Sequence, residues 1–142
     1  MPGNLTAKAT ITIHADKNAV WNALTRPEQI SKYMFGARVE SDWRVLSPIT
    51  WTGELNGKKY EDKGEILDFT PEETLAYSHY SSLSGKPDKP ENYHTVSIHI
   101  VEGAGGTVAT LTQDNNPTED ARTHSQEHWT MMLQGLKKVV EG

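Results

Sequence analysis

The stretch Ile49–Leu75, ITWTGELNGKKYEDKGEILDFTPEETL, constrains the fold of this chain more than any other. It contains two chain reversals and the strands they join. Asn56-Gly57 fits a two-residue hairpin turn, because the central residues of such a turn need positive φ. Thr70-Pro71-Glu72-Glu73 marks a second reversal, with proline setting φ where the chain turns back. Between them, Lys58 to Phe69 is long for a strand and must bend or bulge, with Gly64 the expected place. Three antiparallel strands with a bent central member make a curved sheet, and a curved sheet encloses something.

The flanking segments indicate what it encloses. Leu5, Ala7, Ala9, Ile11 and Ile13 alternate with polar residues, the pattern of a half-buried strand. Asp16 then serves as an N-cap for a short helix carrying Val20, Trp21 and Leu24, and Pro27 opens a second one through about Lys32. Strands are expected at Ala37–Glu40, Trp43–Ser47 and Leu75–Tyr80. A final hairpin joins Tyr93–Val101 to Thr107–Gln113 across Gly103-Ala104-Gly105-Gly106. Ser81–Asn92, rich in Gly, Pro and Ser, is the longest irregular stretch.

The last element is the clearest helix. Asn116 is read as its N-cap, Pro117 as its first residue and Glu119 as the capping-box acid. Trp129, Met132, Leu133, Leu136, Val139 and Val140 recur at three- and four-residue steps, and Lys137 and Lys138 complement the dipole at its end. Only this helix is long enough to cover the concave face of a curled sheet. The expected fold is therefore α+β and helix-grip. A curved antiparallel sheet of about six to seven strands surrounds the C-terminal helix, two short helices follow strand one, and residues 1–142 form one domain.

Composition narrows the function. With no cysteine among 142 residues, disulfides, thiolate metal sites and cysteine nucleophiles are excluded. A formal charge of −5 with scattered basic residues argues against nucleic acid and against an anionic membrane surface. No apolar run approaches a membrane span and no signal region opens the chain, so a cytoplasmic location is expected. Four Trp and five Tyr spread along the sequence suit a lined interior.

The chain resembles the START and birch-pollen-allergen (Bet v 1-like, SRPBCC) superfamily of cavity-forming domains. Within it, the resemblance is to the family named for the activator of the heat-shock-protein-90 ATPase, in its small single-domain bacterial form. The matching residues are Val20-Trp21-Asn22-Ala23-Leu24-Thr25 with Pro27-Glu28, Trp51-Thr52-Gly53-Glu54, Gly57-Lys58-Lys59-Tyr60 and Lys63-Gly64-Glu65-Ile66-Leu67. Pro71 with Leu75, Gly106-Thr107, and Trp129 with Leu133 and Leu136 complete the set. These are turns, strand starts and core anchors. The resemblance implies a ligand cavity and no shared catalytic triad, and the family name implies a chaperone ATPase as a partner in a stress response.

Two candidate chemistries lie on the last helix. His124-Ser125-Gln126-Glu127-His128 matches a zinc-hydrolase spacing, but such a site needs a third ligand downstream. Glu141 is the sole acid beyond His128, so no metal or other cofactor is expected. His128 instead joins Ser125, Trp129 and Met132 in a stripe that can line a cavity, the alternative being a partly exposed helix histidine next to Glu127. On the strand from Leu75, Tyr77 and His79 share a face, and Gln113 continues the alternation of Thr107, Ala109 and Leu111. Trp51 and Tyr60 are read as a cross-strand pair beside the hairpin turn, and Asp62, Glu65 and Asp68 as solvent-side residues.

The expected function is non-catalytic binding of a small apolar molecule between sheet and helix. Trp129, Met132, Tyr77, Leu111 and Val96 form the walls, with His79, His128 and Gln113 orienting a polar group. Ser81–Asn92 and the short helices near Ile30–Phe35 are expected to rim the opening. The alternatives are a polyketide cyclase- or dehydratase-like enzyme using cavity His or Tyr, and a regulator of a chaperone ATPase.

Overall fold

The computed structural model describes residues 5–34, 36–81 and 85–142. Seven strands form one antiparallel sheet: β1 (Leu5–Ile13), β2 (Arg38–Ser41), β3 (Pro48–Leu55), β4 (Lys58–Thr70), β5 (Thr74–His79), β6 (His94–Gly103) and β7 (Gly106–Asn116). Their spatial order is β1-β7-β6-β5-β4-β3-β2. Two short helices, α1 (Lys17–Thr25) and α2 (Pro27–Tyr33), follow β1, and α3 (Glu119–Glu141) ends the chain. The α+β helix-grip architecture is as the sequence predicts.

Local chemistry accounts for most boundaries. Asp16 Oδ1 accepts from the Ala19 amide at 2.8 Å and caps α1. Asn56 (φ 53°) and Gly57 (φ 80°) take the left-handed conformations that the two-residue β3–β4 turn requires. On the concave face α3 lays down Trp129, Met132, Leu133 and Leu136, all buried, against Ile13, Ile66, Val96 and Leu111 of the sheet. Burying each such side chain stabilises the fold by about 1.5–3 kcal/mol, which fixes the helix over the sheet.

Four local expectations are corrected. Trp43–Ser47 is not a strand. Trp43 and Leu46 have φ of 57° and 71°, and Ser41 and Ser47 hydroxyls accept from the Trp43 and Arg44 amides, so the chain turns there and only Leu46 and Ser47 keep backbone bonds to Ile66. The bulge in β4 falls between Ile66 and Asp68 rather than at Gly64. Gly64 marks instead a close approach of two strands, since a Cβ there would sit 1.7 Å from the Ser78 carbonyl oxygen. The N-cap of α3 is Thr118, whose Oγ1 accepts from Ala121 at 3.1 Å, because β7 runs on through Asn116. Finally, Trp51 pairs with Asp62 and Tyr60 with Gly53, so the two aromatics are not opposite each other.

Candidate functional site

A cavity of about 680 Å³ opens between the concave sheet face and α3. Tyr33 and Met34 come from the end of α2, Trp51 from β3, Tyr60 and Asp62 from β4, and His79 from β5. Gln113 comes from β7, and His128, Trp129 and Met132 from α3. Lys86, Glu91, Asn92 and His94 supply the side nearest the β5–β6 connection. The volume lies in the range of small-molecule sites, about 300–1,000 Å³.

Strand phase places the polar groups. Tyr60, Asp62 and Ile66 lie on the inward face of β4, where exposed residues separate them. Tyr60 crosses over Gly53, and a Cβ on Gly53 would lie 2.7 Å from its hydroxyl oxygen, so the glycine makes room for the ring along the cavity wall. Burial and the Asp62 carboxylate both push the Tyr60 hydroxyl above its ordinary pKa, keeping it protonated. His79 Nε2 lies 3.1 Å from Asp62 Oδ2, and the Trp51 ring meets the imidazole edge-on at 5.0 Å. A carboxylate only accepts when ionised, so Nε2 carries a proton and Asp62 fixes the orientation of the ring.

A second polar cluster closes the other side. Trp129 Nε1 donates to Gln113 Oε1, and Gln113 Nε2 faces Asn116 Oδ1 and Ser125 Oγ at 3.5 Å each. Asn116, almost wholly buried, donates to the Leu5 and Gln113 carbonyls at 2.9 and 3.1 Å and accepts from Ser125 Oγ at 2.9 Å. The polar atoms of Gln113 thus point into the protein framework while its side chain lines the cavity.

His128 packs edge-on against Trp129 at 5.1 Å. More than a third of the residue is open to solvent. Even so, desolvation of its ring, then His124 on the same helix and His79 across the cavity, lower its pKa below 6.5. The unfolded chain then binds more protons than the folded one just below pH 6.5, so this group makes stability rise with pH there. An NMR titration is expected to give His128 a midpoint below 6.5, and His128→Gln should flatten the fall in stability on acidification. A midpoint at or above the ordinary imidazole value contradicts this.

Of the residues singled out from the sequence, His79, Gln113, His128, Trp129 and Met132 come together around the cavity. Tyr77, Val96 and Leu111 do not line it. They are packed beneath it at 5%, 0% and 0% exposure, and burial raises the Tyr77 hydroxyl pKa far above the phenol range. Asp62, expected on the solvent side, is turned inward by the phase of β4. Sequence reasoning missed Asp62, Tyr60 and His94 as cavity residues. The alternation Tyr60, Asp62, Ile66 was the available signal, weakened by the bulge at its end. Of the expected rim, Phe35 and Ser82–Ser84 lie outside the described residues. Among the described residues, no three His, Cys, Asp or Glu side chains gather as a metal site, and no helix is long and apolar enough to cross a membrane.

The model of the family described as Activator of Hsp90 ATPase homolog 1-like protein matches residues 14–141. The chain belongs to this family. The matched span includes every residue that lines the cavity. A solution structure from Cytophaga hutchinsonii is 50% identical, with 99% of this chain and 97% of that one covered and a TM-score of 0.86. The Aha1 dimer from Colwellia psychrerythraea is 21% identical over 96% of each chain, at a TM-score of 0.75. A protein from the dynemicin biosynthetic locus is 14% identical at a TM-score of 0.79, and this chain spans about half of its length (47%). The last two show the fold alone. No curated protein matches the chain. Activator of Hsp90 ATPase homolog 1-like membership thus agrees with the Bet v 1-like architecture reached from the strand order and α3.

Proposed function

We propose that the protein binds a small, largely apolar molecule in the cavity between the sheet and α3, without transforming it. The observation that carries this reading is the cavity itself, about 680 Å³, in which Trp51, Tyr60, Trp129 and Met132 stand beside polar groups that can orient a ligand. His79 and His128 orient the polar end of the ligand, Gln113 holds Trp129 in place, and Tyr77, Val96 and Leu111 back the floor.

Native mass spectrometry of freshly purified protein is expected to show a noncovalent small-molecule adduct, and the neutral dye Nile red should bind at one site with enhanced emission. Met132→Trp, which fills the space from α3, should abolish dye binding. Absence of both adduct and dye binding rejects the proposal.

One observation favours a second reading. An imidazole held by a carboxylate, as His79 is by Asp62 at 3.1 Å, can act as a general base, with the Tyr60 hydroxyl on the same wall as an acid. The protein would then resemble a cyclase or dehydratase. Turnover lost in His79→Gln while ligand affinity persists would support it. The family description also makes a chaperone ATPase a candidate partner, and stimulation of such an ATPase by the purified protein tests that directly.

A further inference from the structure

We propose that the cavity selects for ligands that bring hydrogen-bond donors and no negative charge, namely an amine or alcohol on an apolar body, in preference to a carboxylate of the same shape. This rests on the binding reading above and names the ligand chemistry of that site.

Many donors of the cavity wall are already turned into the protein, the Tyr60 hydroxyl and the His128 ring being the exceptions. His94 Nδ1 lies 2.9 Å from the Asp114 carbonyl oxygen, which can only accept, so Nδ1 is the donor and the tautomer this selects presents the Nε2 lone pair. His79 donates its Nε2–H to Asp62 Oδ2, which leaves Nδ1. Asn115 Nδ2 donates to the Glu91 and Tyr93 carbonyls at 2.9 and 3.0 Å, which uses both amide hydrogens and leaves Oδ1. Asn92 Nδ2 donates to the Pro87 carbonyl at 2.8 Å, and the Tyr33 hydroxyl to the Ala23 carbonyl at 2.6 Å. The Trp129 indole N–H goes to Gln113.

What remains for a ligand is mainly acceptors. The charged residues of the lining point the same way: carboxylates of Glu54, Asp62 and Glu91 against the single ammonium of Lys86. A carboxylate ligand would lose its hydration and meet lone pairs and like charge, whereas an ammonium or hydroxyl meets partners. The aromatic rings of Trp51 and Tyr60 add faces that favour a cation.

A matched series on one apolar body tests this with the full chain: 2-naphthylmethylamine, 2-naphthalenemethanol and 2-naphthoate, titrated calorimetrically in one buffer. The amine and the alcohol are expected to bind at least roughly tenfold tighter than the naphthoate. Asp62→Asn should narrow the amine-to-carboxylate ratio severalfold; because the ratio is taken within one protein, a general loosening of the fold does not mimic it. Naphthoate binding as tightly as the amine, an unchanged ratio in Asp62→Asn, or failure of all three while Nile red still binds overturns the inference and leaves the binding reading intact. Failure of all four probes overturns both.

Discussion

Gly64→Ala is expected to lower folding stability by about 3 kcal/mol, at the upper end of what overpacking costs. The backbone at Gly64 is not in the left-handed region, so the effect does not arise from φ. It arises from contact. The added Cβ would lie 1.7 Å from the Ser78 carbonyl oxygen, 2.5 Å from its carbon and 3.2 Å from the His79 amide nitrogen. All three are backbone atoms, which cannot swing aside as a long side chain would. The strands must part, and the backbone bonds between Lys63 and Tyr80 at 3.1 and 2.8 Å are at risk with them. Asp62 and His79 flank the contact on either strand, so ligand affinity should fall together with stability. Gly36→Ala provides the comparison, since φ is +78° there and nothing lies within 4 Å. It should lose only about 1 kcal/mol. Urea denaturation of both variants reads the difference, and equal losses would refute the contact argument.

The second large effect is expected at Asn116. Asn116→Ala removes a side chain that joins β1, β7 and α3 at once. The Leu5 and Gln113 carbonyls lose a donor, and Ser125 Oγ loses its acceptor, in a region where Asn116 is 1% exposed. Leaving buried polar groups unpaired costs about 1–3 kcal/mol for each group that water cannot reach. A loss of about 2–4 kcal/mol is expected. Gln113 would also lose a neighbour that holds its amide, so the Trp129 fluorescence of the folded variant should shift. Ser125→Ala, which removes one member and leaves Asn116 its two carbonyl bonds, should cost less than half as much. A neutral Asn116→Ala would show that water enters and replaces the amide.

These two residues show where the sequence was readable and where it was not. Asn56-Gly57 announces its turn because the requirement is local: two successive residues must take positive φ, and few sequences do so easily. The apolar steps of α3 are legible for the same reason, since Trp129, Met132, Leu133 and Leu136 follow from helical geometry alone. Asn116 misleads because its local context, Asn-Pro-Thr-Glu, is a good helix start, while its partners Leu5 and Ser125 are fixed only by tertiary packing. Gly64 was recognised as special, but bending and close approach leave the same mark in a sequence, and only the position of Ser78 separates them. The site divides in the same way. His79 and His128 follow from strand phase and helix face, whereas the pairing of His79 with Asp62 depends on the register between β4 and β5. Val96 and Leu111 have the correct inward phase and still fall short of the cavity, because depth below a curved surface is not encoded in alternation.

The sheet order has a consequence in time as well as in space. Among the described strands β1 pairs with β7 alone, from Leu5 opposite Asn116 to Ile13 opposite Thr107. A growing polypeptide must therefore hold β1 without a strand partner until roughly ninety further residues have followed. Contacts so distant along the chain close slowly, and an unpaired strand with an apolar face can pair wrongly while it waits. Placing β1 after α3 by circular permutation would shorten that interval, and refolding should become faster with less loss to aggregation.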